Sequence, residues 1–506
     1  MQDSYIPKEI IFIIEKLKKE GFKAYIVGGC VRDLFRGEKP TDWDCATDAL
    51  PEKILEIFPN SFYKNKFGTV TVIFPNEEFK KISEIKEIEI TTFRIDEKYS
   101  DKRHPDKIRF AKTIEEDLSR RDFTINAIAL ERQNTKRKMK NDRLRFKNFN
   151  LIDPYQGQKD LKDKIIRTVG CPEDRFSEDA LRMLRAIRFA VSLDGNFRIE
   201  EKTFKAIKKN AFWIQAISKE RIRDEFIKII ESERAAQGIE LLRKTTLLKY
   251  IIPELEEGYK ISQNKHHIYD CYTHLLLSLK YAALKNFNKC VRIASLFHDI
   301  AKPRTKKGEG PDATFYSHEI LGTKMAIGIL SRLKFPKEDI EKIAKLIRYH
   351  LFYYNVGEVK EASIRKLLRN VGPENIEELI QVRIADRIGS GVPKAEPYKL
   401  RHFRYLIEKV SQDPISVKML KIKGNDIMEI LKIPPGPKIG EILEILLKEV
   451  LENPKKNREE YLKQRVRELG ELLDKDIKAM AEEARKEKGK IEIKRDEMTK
   501  RKYWVM

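Results

Sequence analysis

The period of the apolar pattern changes once along the chain, near residue 160, and that change limits the architecture more than any other feature. Before it come short apolar runs closed by Gly or polar residues: AYIVGG, DWDCAT, TVTVIF, EIEITTF and INAIAL, with a helical stretch at 51–58 among them. Runs this short, bounded by turn residues, predict strands. After it, apolar residues recur at helical spacing, as in Leu181, Leu184, Ile187 and Val191, then Ile222, Phe226, Ile229 and Ile230. The expected fold class is α+β, with a mixed β-sheet head followed by all-α regions. A chain of 506 residues exceeds one hydrophobic core. Expected segments are a head at 1–155, a helical neck at 156–235, a helical connector at 236–265, a helical domain at 266–392, a C-terminal helical region at 393–475 and a charged tail at 476–506.

Lys and Arg number 103 against 80 Asp and Glu, a net charge of +23, which makes nucleic acid the leading partner class. Charged residues at 36% and apolar residues at 41% favour folded cores and exclude a membrane-embedded chain. The N-terminal apolar run Ile10 to Ile14 is closed by Glu9 and Glu15, so it reads as neither a signal peptide nor a spanning helix. Five cysteines with no CxxC pair predict free thiols and a cytoplasmic protein. Residues 131–148 carry eight basic and two acidic side chains and read as a basic loop, open to RNA contact or simple solvation.

The first chemistry lies in AYIVGGCVRDLFRGEKPTDWDCAT. Gly28 and Gly29 end a strand and open a turn where backbone amides can approach an anion, and Arg32 follows at a spacing that reaches the same phosphates. Asp42 and Asp44 straddle Trp43, and strand alternation would place both carboxylates on one face. Two like charges so close call for a cation, with Mg²⁺ the expected ion, able to activate a hydroxyl and hold a triphosphate.

These residues carry a resemblance. GGCVRDLFRG followed by TDWDCAT resembles the signature of class II tRNA nucleotidyltransferases, the family of CCA-adding enzymes and bacterial poly(A) polymerases. The resemblance implies a nucleotidyltransferase-fold head with Asp42 and Asp44 as catalytic metal ligands. It continues in RRDFTINAIAL, where it assigns Arg121 and Asp122 to the nucleotide ribose, and in LIDPYQGQKDL, a structural connection. Glu89 is a candidate third carboxylate. FSEDALRMLRAIRFA matches the family's EDxxR templating motif, with Asp179, Arg182, Arg185 and Arg188 at steps of three that fan across one side of a helix. Cytosine and adenine each present an exocyclic amine beside a ring-nitrogen acceptor. Asp179 can accept from the amine and Arg182 can donate to the nitrogen, whereas uracil and guanine set acceptor against acceptor. Arg185 and Arg188, further round, are expected at the triphosphate together with Gly28, Gly29 and Arg32.

In the helical half, His274, His298 with Asp299, His318, His350 and Asp386 occur in an order that resembles the HD phosphohydrolase domain. Imidazoles and carboxylates from separate helices can surround a divalent transition metal and polarise a water for attack on a phosphoester. Lys302 could hold a phosphate or be surface charge. The segment LKIKGNDIMEILKIPPGPKIGEILEILLKEVLENPKKNREE resembles the C-terminal part of the same family and suits docking on a tRNA acceptor stem. The resemblance implies addition of C and A to tRNA 3′ ends from CTP and ATP, with pyrophosphate released. The alternatives are CC-only or A-only addition, poly(A) synthesis, or a tRNA-binding HD phosphohydrolase with vestigial nucleotidyl transfer. The stretch TTFRIDEKYSDKRHPDKIRF is where the family places the loop needed for the switch to A.

Overall fold

The structure is a computed structural model that describes residues 6–65, 68–74, 87–97, 107–133, 148–264, 268–411 and 417–505. The basic run at 134–147 and the part of the switch-loop stretch at 98–106 lie outside the described residues.

The head is built on strands β1 (Ala24–Val27), β2 (Asp44–Thr47), β3 (Ser61–Asn65), β4 (Thr69–Ile73), β5 (Glu87–Thr92), β6 (Arg94–Glu97), β7 (Lys107–Phe110), β8 (Ala129–Arg132) and β9 (Phe149–Ile152). Seven of them form one sheet in the order β3-β4-β5-β2-β1-β8-β9, while β6 and β7 pair separately. The sheet is mixed, because β2 runs parallel to β5 and antiparallel to β1. β1 is central and buried along its whole length, so both faces of AYIV meet apolar material. Ile26 packs with Cys45, Ile90 and the Ile10, Ile13, Ile14 and Leu17 stripe of helix Lys8–Lys19 on one side. Tyr25 and Val27 pack with Ala46, Phe93, Ile114 and Leu118 on the other. Alternation puts Asp44 on that second face, and Glu89 is its register partner on β5.

Three elements differ from the sequence expectation. β2 begins at Asp44, and Asp42 stands before it, exposed in a bend, so strand alternation does not align the two carboxylates. Trp43 is drawn into the sheet core, which turns the chain at this point. The segment expected as one templating helix is two, Pro172–Glu178 and Leu181–Ser192, with Asp179 extended between them. There the Asp179 Oδ1 accepts from the Leu181 amide at 3.0 Å and competes with a continued helix for that donor. The INAIAL run, expected as a strand, is a 3-10 turn at Thr124–Asn126 and joins the sheet only from Ala129. The charged tail lies mostly within helix Asp474–Lys502, whose Ile477 and Ala481 join a core with Ile442, Leu446, Leu462 and Val466.

The chain divides into two compact units, residues 1–351 with 377–393, and residues 352–376 with 394–506. Head, neck and the six His and Asp residues of the HD-like series all belong to the first. No described helix is long and apolar enough to cross a membrane.

Gly157, in the expected structural connection, faces the Thr124 carbonyl so closely that a Cβ would sit 2.1 Å from its oxygen. The Gly157→Ala variant is therefore expected to lose about 2 kcal/mol of stability, read as a lowered urea midpoint of the full chain. An unchanged midpoint would contradict this packing.

Candidate active site and metal centre

Where β1 ends, Gly28 adopts φ +80°, a conformation other residues rarely take, and opens helix Gly29–Arg36. A Cβ here would lie 2.9 Å from Arg121 Nη1 and 3.3 Å from Asp44 Oδ2, so the missing side chain is what lets these two groups approach the turn. Around them lies an open pocket of about 400 Å³, lined by Gly28, Gly29, Asp44, Asp122, Asn126, Asp179, Phe189 and seven arginines, Arg32, Arg120, Arg121, Arg182, Arg185, Arg188 and Arg221. Eleven of the expected residues are thus accounted for as follows: ten line one pocket, and Asp42 does not.

Each arginine is held. Asp117, fully buried on helix Ile114–Ser119, binds Arg120 at 2.7 Å and Arg121 at 3.2 Å. Burial alone would raise its carboxyl, but the two guanidinium groups outweigh it and lower the pKa. Arg32 is gripped by Asp33 at 2.8 and 2.9 Å and donates to Asn126 Oδ1 at 2.9 Å. Asn126 in turn donates to Asp122 Oδ1 at 3.0 Å. Asp122 Oδ2 receives Arg185 at 2.7 Å, and against the effect of burial this partner, with Asn126 and Arg182, holds the carboxyl at about 2. The residue expected at the ribose thus spends its acceptors on Arg185, Asn126 and the Phe123 amide. Arg188 pairs with the buried Glu225 at 2.7 Å, and burial lowers it to about 10, still cationic at neutral pH. Both oxygens of Asp179 are taken by Arg221, at 2.7 and 3.3 Å. Arg182 reaches Glu178 at 2.5 Å and the Arg120 carbonyl at 3.0 Å.

Sequence reasoning missed Asp117, Asn126, Arg221 and Glu225. The one available signal was a four-residue spacing of Arg221 and Glu225 on helix Lys219–Ile230, which places both one turn apart but does not say what they meet.

The histidine series converges as well. His274 comes from helix Cys271–Leu284, His298 and Asp299 follow helix Lys289–Phe297, His318 opens helix His318–Arg332, His350 ends helix Lys337–Tyr349, and Asp386 lies on Ile376–Gly389. All six are buried. They form two ligand groups, His274, His298, Asp299 and Asp386 in one, Asp299, His318 and His350 in the other. Asp299 serves both: its Oδ2 lies 3.1 Å from His274 Nε2 and 3.3 Å from His298 Nε2, and its Oδ1 lies 3.1 Å from His318 Nε2 and 3.6 Å from His350 Nε2. Donor atoms about 3.0 to 3.4 Å apart are what bonds of about 2.1 Å to a common ion produce. The Nδ1 atoms of His298, His318 and His350 each meet a main-chain carbonyl, of Ser295, Phe315 and Ile347, at 2.9, 2.6 and 2.7 Å. Those carbonyls accept the Nδ1 proton and leave the Nε2 lone pairs for a metal. The buried Nε2 atoms of His318 and His350 have no hydrogen-bond partner, so the donor set fits a divalent ion. Burial disfavours a charged imidazole, yet Asp299 and Asp386 outweigh it and raise the His298 pKa, so the cavity favours positive charge. Lys302 is buried, not surface charge, and binds Asp299 and Gln263, each at 2.7 Å.

Residues 24–167 match the family described as poly A polymerase head domain, 196–258 the one described as "Probable RNA and SrmB-binding site of polymerase A", and 317–466 the tRNA nucleotidyltransferase domain 2 family. A CCA-adding enzyme of Ligilactobacillus salivarius is 42% identical over 244 residues, 48% of this chain and 54% of that enzyme, so this match spans about half of the relative. One from Lactococcus lactis is 31% identical over 457 residues, 89% of this chain and 96% of its own length. The crystal structure of the Bacillus stearothermophilus CCA-adding enzyme in complex with CTP superposes with a TM-score of 0.54 at 27% identity, covering 92% of this chain and 98% of that one. With a relative matched over nearly its whole length, and a sheet head whose paired arginines and carboxylates carry the motifs, this chain belongs to the CCA-adding enzyme family of tRNA nucleotidyltransferases.

Proposed function

We propose that this protein adds C and A to the 3′ end of tRNA from CTP and ATP, with side chains in place of a template. The observation that carries this reading is the pocket in which Asp44, the arginines and Asp179 with Arg182 face one another. Relatives are named CCA-adding enzymes, and one related structure is a complex with CTP. Mg²⁺ bound by Asp44, with Asp42 and Glu89 as further ligands, would supply the charge that activates the tRNA 3′-hydroxyl and stabilises an in-line displacement. The chain's own residues do the rest. Gly28 leaves room for phosphates beside Asp44, Arg32, Arg185 and Arg188 bind the triphosphate, and Arg121 donates to the sugar. The 3′-oxygen bonds to the α-phosphorus as the bond to the bridging oxygen breaks, and pyrophosphate leaves. Asp179 accepts from the exocyclic amine of C or A, and Arg182 donates to the ring nitrogen. A base with a carbonyl there leaves the carboxylate unpaired, at a cost of about 1 to 3 kcal/mol. A cytoplasmic location fits the five unpaired cysteines.

A second reading rests on the buried histidines: two divalent ions share Asp299, and the site hydrolyses a terminal or cyclic phosphate. The group with His318 and His350 offers fewer protein ligands than the other, which leaves positions for water and substrate.

A tRNA transcript lacking its 3′ end, incubated with labelled CTP and ATP and Mg²⁺, should gain C, C and A in order, and Asp44→Ala should lower the rate by roughly 10³-fold. Incorporation of C alone, of repeated A or of nothing would instead favour partial addition, poly(A) synthesis or vestigial transfer. Gly28→Ala should cost more than about tenfold in kcat/KM for CTP, because the strained turn and the displaced Arg121 and Asp44 act together. For the second site, metal analysis after loading with Ni²⁺ or Mn²⁺ should give about two ions per chain. His318→Ala should retain one and Asp299→Ala none, with hydrolysis of a 2′,3′-cyclic phosphate lost in both. A single ion in wild type would refute the shared-carboxylate arrangement.

A further inference from the structure

One buried ring gathers three of the guanidinium groups. Phe189 is 3% exposed, on the neck helix Leu181–Ser192, and the Arg32, Arg185 and Arg188 guanidinium carbons lie 5.2, 5.4 and 4.0 Å from its centroid. Arg32 comes from the head, the other two from the neck. Phe123 meets the ring edge-on, with centroids 5.7 Å apart at 81°, and fixes its tilt. Arg32 is also held along an edge by Asp33 and Asn126 and Arg185 by Asp122, while Arg188 Nε lies 2.7 Å from Glu225 Oε2 as an ion pair without a hydrogen bond.

An arginine has an edge that donates hydrogen bonds and a face that does not. Carboxylates can grip only the edge. A ring quadrupole attracts the cation without consuming an N–H, and it does so best where water is excluded. A leucine would fill the same core space but offer nothing to the cations.

Resting on the nucleotidyl-transfer reading, we propose that Phe189 is a positioning residue. It draws three mutually repelling arginines around one ring and so keeps their remaining N–H groups turned to the triphosphate. Its contribution is electrostatic and acts on nucleotide binding. Because the phosphates are common to both substrates, CTP and ATP feel it alike.

The test replaces Phe189 in the full chain by 4-fluoro-, 3,5-difluoro- and 3,4,5-trifluorophenylalanine, which weaken the quadrupole with little change in shape, and adds Phe189→Leu. KM for CTP and ATP on a tRNA lacking its 3′ end should climb steadily with fluorine number, reaching roughly tenfold for the trifluoro ring. Phe189→Leu should lie at the top of the series, kcat should stay within about twofold, and the unfolding midpoint should not move across the fluorinated rings. A flat KM series in a chain whose wild type adds nucleotides would overturn the proposal, as would a KM rise that tracks a falling midpoint. A wild-type chain that adds no nucleotide would instead defeat the reading beneath it.

Discussion

Seven arginines can share one pocket only because carboxylates behind them hold the charge in place. Asp33, Asp117, Asp122, Glu178, Asp179 and Glu225 each pair with an arginine of that pocket. One of these pairs also crosses the seam between head and neck. Asp122 of the head binds Arg185 of the neck, Arg182 donates to the Arg120 carbonyl, and Arg175 donates to the Ser119 carbonyl at 2.9 Å. Separating head and neck therefore breaks this ion pair and two charge-assisted hydrogen bonds to main-chain carbonyls, each worth about 1.5 to 3 kcal/mol. The bonds that cross this seam also fix the relation of β1 and its glycine turn to the segment of Asp179 and Arg182.

The histidine cavity has the opposite polarity and the same logic. Main-chain carbonyls orient three imidazoles, and Asp299 and Asp386 bring negative charge into a fully buried space. Lys302 neutralises part of it and is itself kept in place by Gln263. A cavity so built favours cations, just as the head pocket favours a polyphosphate.

Legibility followed the range of the interaction. The strands at AYIV, TVTVI and EIEITT, the helices around Leu181 to Val191 and Ile222 to Ile230, and the glycine turn all declare themselves by short-range pattern and appear where the pattern puts them, whereas DWDCAT and INAIAL join the sheet only from Asp44 and from Ala129. The six HD-like residues could be named because their types are rare and chemically coherent, though the sharing of Asp299 between two groups could not, since it depends on which way each carboxylate oxygen turns. What a single sequence hid were partners distant in the chain. Asp122 looks like a ligand residue in RRDF, yet it is occupied by Arg185; Arg188 looks like a phosphate clamp, yet Glu225 already holds it. The helix period likewise could not foretell the break at Asp179, because the break comes from a side chain that takes the amide of Leu181.

That break bears on how a protein can stand in for a nucleic-acid template. A base in a duplex is held by stacking on both sides, and its edge cannot turn. A carboxylate on a continuous helix would rotate about two torsions and present its lone pairs over a wide arc, which would blur the difference between an amine and a carbonyl partner. Asp179 is restrained at both oxygens: Oδ1 accepts from the Leu181 amide and Arg221 Nη1, and Oδ2 accepts from Arg221 Nη2. Its plane is set before any nucleotide arrives, and discrimination between bases then costs no reorganisation. On the proposed reading, Arg221 is as necessary to selectivity as Asp179 itself, because a reading group that could swing would accept the wrong edge nearly as well as the right one.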